Sequence, residues 1–267
     1  MTPAERAASC LHARSTAFVR KLAASVDIIT EALACGVPWY NAFSGGVDSA
    51  VVLDLVWQQC PRLPILWGDD GLDFPETLAF LDATENRLRT TITRVRSLDP
   101  WRDWCNAMDR PDLATDPDAT WGNPRIWDHE WRSLTKDAPL NGYGGVFLGL
   151  LGKRWQHGGE STARAIQLRG GHRPLYRVAS EGDTWHCSPL AAWDKRDVWG
   201  YVASRHLPYN AAYDVQARLG VPLIRRRVSA ATCFRAMDKG THAMLRRGWP
   251  PLWNELASVF PSIRRAS

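Results

Sequence analysis

Six consecutive residues, Ser44-Gly45-Gly46-Val47-Asp48-Ser49, have the types and spacing to hold an anion. Two glycines allow positive φ and close approach of a ligand to the backbone. Before them, Trp39 to Phe43 reads as a short buried strand; after them, Ala50 to Trp57 reads as an apolar helix. A strand, a glycine turn and a helix start aim free N–H groups at one spot, and phosphate is the usual guest of such a spot. The alternative is a capped helix after a glycine turn, since Ser and Asp suit a helix start. Asp48 repels phosphate directly. It either holds a Mg²⁺ that bridges phosphates or is a helix-start carboxylate stabilised by the dipole. No lysine follows the glycines, so this is not a Walker A loop.

The loop resembles the PP-loop of the ATP pyrophosphatase superfamily, whose pattern is Ser-Gly-Gly-x-Asp-Ser and whose enzymes cleave ATP between the α and β phosphates. Further stretches resemble its phosphoadenosine phosphosulfate (PAPS) reductase-like branch. Asp69-Asp70-Gly71 stands where that branch has Asp-Thr-Gly, and Phe74-Pro75-Glu76-Thr77 follows as in the family. Gly149-Leu150 leads, through an extended segment, to Glu160-Ser161 and Arg164. Pro189-Leu190, Trp193 and Asp197-Val198-Trp199 match the next motifs, and Leu207-Pro208-Tyr209-Asn210 with Tyr213-Asp214 the last. The resemblance covers roughly residues 39 to 235.

The resemblance implies a Rossmann-like adenine nucleotide α-hydrolase fold with the nucleotide at the strand ends. The expected nucleotide contacts are Phe43, Ser44, Gly45, Gly46, Val47, Asp48, Ser49, Gly68, Asp69, Asp70, Gly149 and Glu160, with the base near Gly68 to Asp70. The expected cofactors are ATP and Mg²⁺, the metal on Asp48. Asp70 has a bland alternative as a turn residue. Lys153, Arg154 and Arg164 are the candidates, with Asp48, for stabilising charge at the reacting phosphorus; Glu160 either orients one of them or starts a helix. His172 and Arg173 are candidates for binding the acceptor.

The family holds several reactions. Its reductases carry a cysteine in a C-terminal Glu-Cys-Gly-x-His motif, whereas Cys233 here lies in Ala-Thr-Cys-Phe-Arg. The expected reaction is therefore cleavage of ATP with adenylylation of an acceptor and release of pyrophosphate, in sulfur metabolism or sulfur transfer to nucleic acid. One alternative is a sulfonucleotide reductase using Cys233. Another is a nucleotide-binding subunit, without catalysis, in a nucleic-acid modification complex.

These residues need a scaffold. Ile65-Leu66-Trp67 reads as a second strand, Pro75 to Leu88 as a helix and Thr90 to Val95 as a third strand. Strands alternating with helices imply an α/β fold with a doubly wound, mostly parallel sheet. Gly145 to Leu151 and Thr184 to Ser188 are expected as further strands, and Lys195 to His206 and Ala211 to Leu219 as helices. Residues 4 to 35 carry helical periodicity and end at Gly36 and Pro38. The expected division is a helical N-terminal segment, 1–37, a nucleotide-binding domain, 38–225, and a helical C-terminal tail, 226–267.

At 267 residues, 45% apolar and 23% charged, the chain has the makings of an ordinary globular core. No apolar run is long enough to span a membrane, and the first residues lack the core of a secretion signal, so a cytoplasmic protein is expected. Six scattered cysteines without a C-x-x-C pair fit that expectation and give no cluster spacing. The net charge of +5, with Arg225-Arg226-Arg227 as its densest run, suits an anionic ligand and leaves open a nucleic acid, a partner protein or a second copy of the chain.

Overall fold

The computed structural model describes residues 1–69, 73–96, 142–151, 173–178, 184–228 and 242–259. Two helices open the chain: α1 (Pro3–His12), with a capping box between Thr2 and Glu5, and α2 (Thr16–Leu33), capped by Ser15. Then come β1 (Trp39–Ala42), α3 (Val47–Gln59), β2 (Ile65–Asp69), α4 (Pro75–Leu88) and β3 (Ile92–Arg96). After them lie β4 (Gly145–Phe147), β5 (Leu175–Val178), β6 (Thr184–Cys187), α5 (Lys195–Arg205), α6 (Ala212–Arg218), α7 (His242–Gly248) and α8 (Pro250–Val259).

The described strands form one six-stranded sheet in the order β3-β2-β1-β4-β6-β5. All neighbours are parallel except β5, which runs antiparallel to β6 along one edge. This is the strand order of a doubly wound sheet, as expected. The chain steps outward from β1 through β2 to β3 and then returns to lay β4 on the other side of β1. The reversal opens a crevice at the carboxyl ends of β1 and β4, where such sheets bind ligands.

Side-chain alternation decides how the sheet is covered. Trp39, Phe43, Ile65, Trp67, Ile92, Phe147 and Cys187 are buried among the helices. Tyr40, Leu66, Val146 and Leu148 form a separate buried cluster, as period-two alternation requires. Helix α3 has eight buried positions, among them Val51, Val52, Leu53, Leu55 and Val56, so it lies in the core. Each such aliphatic side chain contributes about 1.5–3 kcal/mol on leaving water.

Phe18, Ile29 and Ala32 of α2 belong to the same core as α3 and α5, and α1 packs on α5 through His12. Asp197 ties them further: its buried carboxylate takes His12 Nε2 at 2.8 Å and Lys21 Nζ, and closes the capping box of α5 with Asp194. Strand β5 was not expected. Arg177 interrupts its apolar residues, but that side chain is exposed and lies over the Trp185 ring of β6, 5.4 Å from its centre. The strand expected over 145–151 stops at Phe147, because the chain beyond it turns onto the start of α3.

Candidate functional site

The turn between β1 and α3 sits at the sheet's reversal point. Gly45 alone of its two glycines takes a positive φ, +69°, while Gly46 lies at −79° as the N-cap of α3. Gly46 offers no side-chain cap, so the first amides of the helix have no partner within it. The two serines bridge the turn. Ser49 Oγ donates to Gly46 O at 2.9 Å and accepts from Ser44 N at 3.2 Å. With that proton committed, Ser44 Oγ is the donor of the 3.0 Å pair between the two hydroxyls. Ser44 is exposed and Ser49 is buried, so Ser44 carries the accessible hydroxyl.

Two residues from far along the chain hold this turn. The fully buried Asn210 donates through Nδ2 to Thr77 Oγ1 at 2.9 Å and Gly45 O at 3.3 Å, and its Oδ1 accepts from Ala212 N at 2.9 Å. Tyr213 accepts from Val47 N at 2.9 Å. Burial first, then the negative charge of Asp48, pushes the Tyr213 hydroxyl pKa up, so it stays neutral. Trp199 packs edge-on against both Tyr209 and Tyr213 and is itself buried, so it forms a wall behind the phenol. Space is tight as well. A Cβ on Gly45 would lie 2.8 Å from Thr77 Cγ2, and one on Gly149 would lie 2.8 Å from Ser49 N.

Among the described residues the charged pair at the turn is Asp48 with Lys195, Oδ2 to Nζ 2.5 Å. Lys195 is the first residue of α5 and is nine-tenths buried. Asp48 Oδ1 is buried without a hydrogen-bond partner. Arg227 is exposed in the segment that follows Leu223–Arg225, and its positive charge acts on the Tyr213 hydroxyl.

The family profile for the phosphoadenosine phosphosulfate reductase domain matches residues 39–220, which spans this loop and everything that holds it. The chain belongs to the PAPS reductase family. A PAPS reductase of Xanthomonas campestris pv. campestris (strain B100) is 31% identical over 183 residues, 64% of either chain. One of Xylella fastidiosa (strain 9a5c) is 25% identical over 183 residues, 64% of this chain and 65% of its own. The matched stretch is thus somewhat under two thirds of the length of these curated relatives. Among solved structures, the Candida auris PAPS reductase in its phosphate complex superposes with a TM-score of 0.51 at 14% identity, covering 72% of this chain and 84% of its own. The Candida glabrata FMN adenylyltransferase does so with 0.50 at 15%, covering 75% and 60%. At those identities the likeness is one of fold.

Within the PAPS reductase frame the expected site residues divide. Ser44, Gly45, Gly46, Val47, Asp48, Ser49 and Gly149 come together at the reversal point. Gly149 is there for close packing of backbone on backbone, and Val47 N–H is taken by Tyr213. Phe43 is a core residue, buried against Phe80 with ring centres 5.9 Å apart. Gly68 and Asp69 end β2 beside β3, at the same sheet edge. Arg173 is exposed at that edge too, ahead of β5. Three strand spacings, about 14 Å, separate β5 from β1, so Arg173 does not share the loop. Asp70, Lys153, Arg154, Glu160, Arg164 and His172 lie outside the described residues, as does Cys233. Both glycines allow positive φ, and Gly45 takes it.

Sequence reasoning missed Lys195, Thr77, Asn210 and Tyr213 as parts of the site. For the last three a signal existed, since all stand in motifs quoted for the family resemblance. Lys195 had none. The basic run also reads differently in three dimensions. Arg226 is buried, chelates Glu5 with both terminal nitrogens and donates to Val221 O at 2.8 Å, so it is a fold residue that cannot face a nucleic acid. Its guanidinium, together with the Thr2 hydrogen bonds, outweighs burial and holds the Glu5 pKa down.

Proposed function

We propose that the chain binds ATP with its outer phosphates at the Ser44–Ser49 turn, cleaves the α–β bond, and transfers the adenylyl group to an acceptor. The observation that carries this reading is the placement of an intact Ser-Gly-Gly-x-Asp-Ser turn at the reversal point, with Ser44 exposed and an uncapped helix start behind it. Such a turn suits the leaving pyrophosphate, because helix N-terminal amides attract anions. An acceptor oxygen attacks the α-phosphorus, the bond to the bridging oxygen breaks, and pyrophosphate leaves with the electron pair. The protein's part is positioning and charge neutralisation, with little proton chemistry. Asn210, Tyr213 and Thr77 fix the turn before the nucleotide arrives, so the reacting phosphate meets a rigid surface.

Mg²⁺ on Asp48 does not fit the described residues. Oδ2 is taken by the Lys195 ammonium and Oδ1 is closed off from solvent. Among the described residues no cluster of three His, Cys, Asp or Glu could supply a metal cage elsewhere. We therefore assign no step to a metal held there.

A second reading, sulfonucleotide reduction, is favoured by the 31% identity to PAPS reductases. Its thiol would be Cys233; Cys187 lies buried behind the sheet, where burial pushes its pKa far up and leaves it inert. One experiment separates the two. The protein is incubated with α-labelled ATP and candidate acceptors, and in parallel with PAPS and a dithiol. Labelled adenylyl product with pyrophosphate, lost when the loop is blocked by Gly46→Trp in a chain that still folds, is the expected result. Sulfite release from PAPS, lost in Cys233→Ser, with no pyrophosphate from ATP, would overturn it.

A further inference from the structure

A lysine at the first position of a helix is electrostatically misplaced, because the helix N-terminus already carries about half a positive charge. Lys195 is in that position, and it is also nine-tenths buried. Its Nζ reaches across to Asp48, in the first turn of α3, at 2.5 Å. Two helix starts, α3 and α5, therefore converge on one ion pair beside the glycine turn. Among the described residues no other acid meets this ammonium, and Asp48 Oδ1 is buried without a hydrogen-bond partner. An ammonium has three donors, and the pair with Asp48 uses one. The neutral pair leaves the loop with the net positive field of its helix start, and leaves Lys195 with donors for further oxygens.

We propose that the Lys195 ammonium takes the place of a divalent cation at this phosphate loop: it neutralises Asp48 and presents its remaining donors to the phosphate oxygens of the nucleotide, so that binding needs no metal. The proposal rests on the reading of the Ser44–Ser49 turn as the phosphate site and adds the means by which the charge repulsion between Asp48 and phosphate is cancelled. Without Lys195, Asp48 would confront the phosphates as an uncompensated anion. Its carboxylate would also become free to accept a metal.

The test is calorimetric titration of the full chain with inorganic pyrophosphate, and separately with ATP, in excess EDTA and in excess Mg²⁺. Wild type is expected to bind in EDTA with an affinity within about threefold of that in Mg²⁺, a gap under one charge-assisted hydrogen bond. Lys195→Met is expected to lose at least about tenfold in EDTA, the scale of one such bond, and to regain part of it with Mg²⁺. Lys195→Arg is expected to keep metal-free binding. Thermal melts of each variant separate misfolding from lost binding, and the wild-type comparison stands even if Lys195→Met does not fold. Binding by wild type only in Mg²⁺ overturns the proposal while leaving the phosphate-loop reading intact. So does a folded Lys195→Met that binds in EDTA as tightly as wild type. Failure of wild type to bind either ligand in both buffers overturns the loop reading and this proposal with it.

Discussion

The Tyr213 hydroxyl accepts the Val47 amide proton at 2.9 Å, 166 residues away along the chain. A loop commonly thought of as a set of free amides is therefore partly tethered, and the tether comes from the family's last motif. Tyr213→Phe removes the acceptor and leaves a buried N–H unpaired. Stability in urea is expected to fall by about 1–3 kcal/mol, and exchange of the Val47 amide to accelerate. Unchanged protection of that amide would show that the hydroxyl does not hold it.

Gly45→Ala meets two obstacles, the +69° φ and the 2.8 Å approach to Thr77 Cγ2. Thr77→Ser removes that methyl and keeps the hydroxyl that Asn210 binds at 2.9 Å. The single variant is expected to be destabilised by about 1–3 kcal/mol. Adding Thr77→Ser is expected to restore part of the loss, since the backbone strain remains. A double-mutant cycle measured by urea unfolding reads the coupling; strictly additive effects would rule out the contact.

Gly149→Ala should be worse than Gly46→Ala. The first Cβ would strike backbone, Ser49 N at 2.8 Å and Ser49 Cα at 3.0 Å, which cannot swing aside. The second would find Ser44 Oγ at 3.3 Å, a rotatable group, at an ordinary φ. Melting temperatures of the two proteins make the comparison, and the ranking reversed would mean that the chain after β4 does not lie against α3.

Much of this was legible in order but not in depth. The strand-turn-helix around Gly45, the helix Pro75–Leu88 and the parallel alternation follow from apolar runs and punctuation, which are local signals. Tyr213 and Asn210 could be recognised as motif residues, yet their partners, Val47 and Thr77, are set by tertiary packing. Lys195 beside Asp48 is a meeting of two helix starts 147 residues apart, and no spacing rule reaches that far. Strand β5 was hidden because it is only four residues long and the exposed Arg177 breaks its apolar run.

Acid should unfold the chain through Asp197. Burial alone would raise its pKa, but hydrogen bonds from Lys21, the Asp194 amide and His12 outweigh burial and hold it below the ordinary carboxylate range. A depressed carboxyl adds stability above its unfolded pKa, near 3.9, and that stability goes as pH falls through the folded value. Wild-type stability is thus expected to drop below about pH 4. Asp197→Ala is expected to cost about 3–5 kcal/mol at neutral pH and to flatten this acid limb. Urea titrations across pH 3–7 check both, and an acid limb as steep as before would assign it to other groups.

Asp197 also bears on how the molecule can be cut. The family match begins at residue 39, yet the two bases that answer this carboxylate are His12 and Lys21. A fragment trimmed to residues 39–220 would leave this carboxylate without either base and expose the flank of α5. Shorter versions for crystallisation or assay should keep both opening helices, and a chimera that takes this sheet without them must supply a counter-charge for the acid at that place.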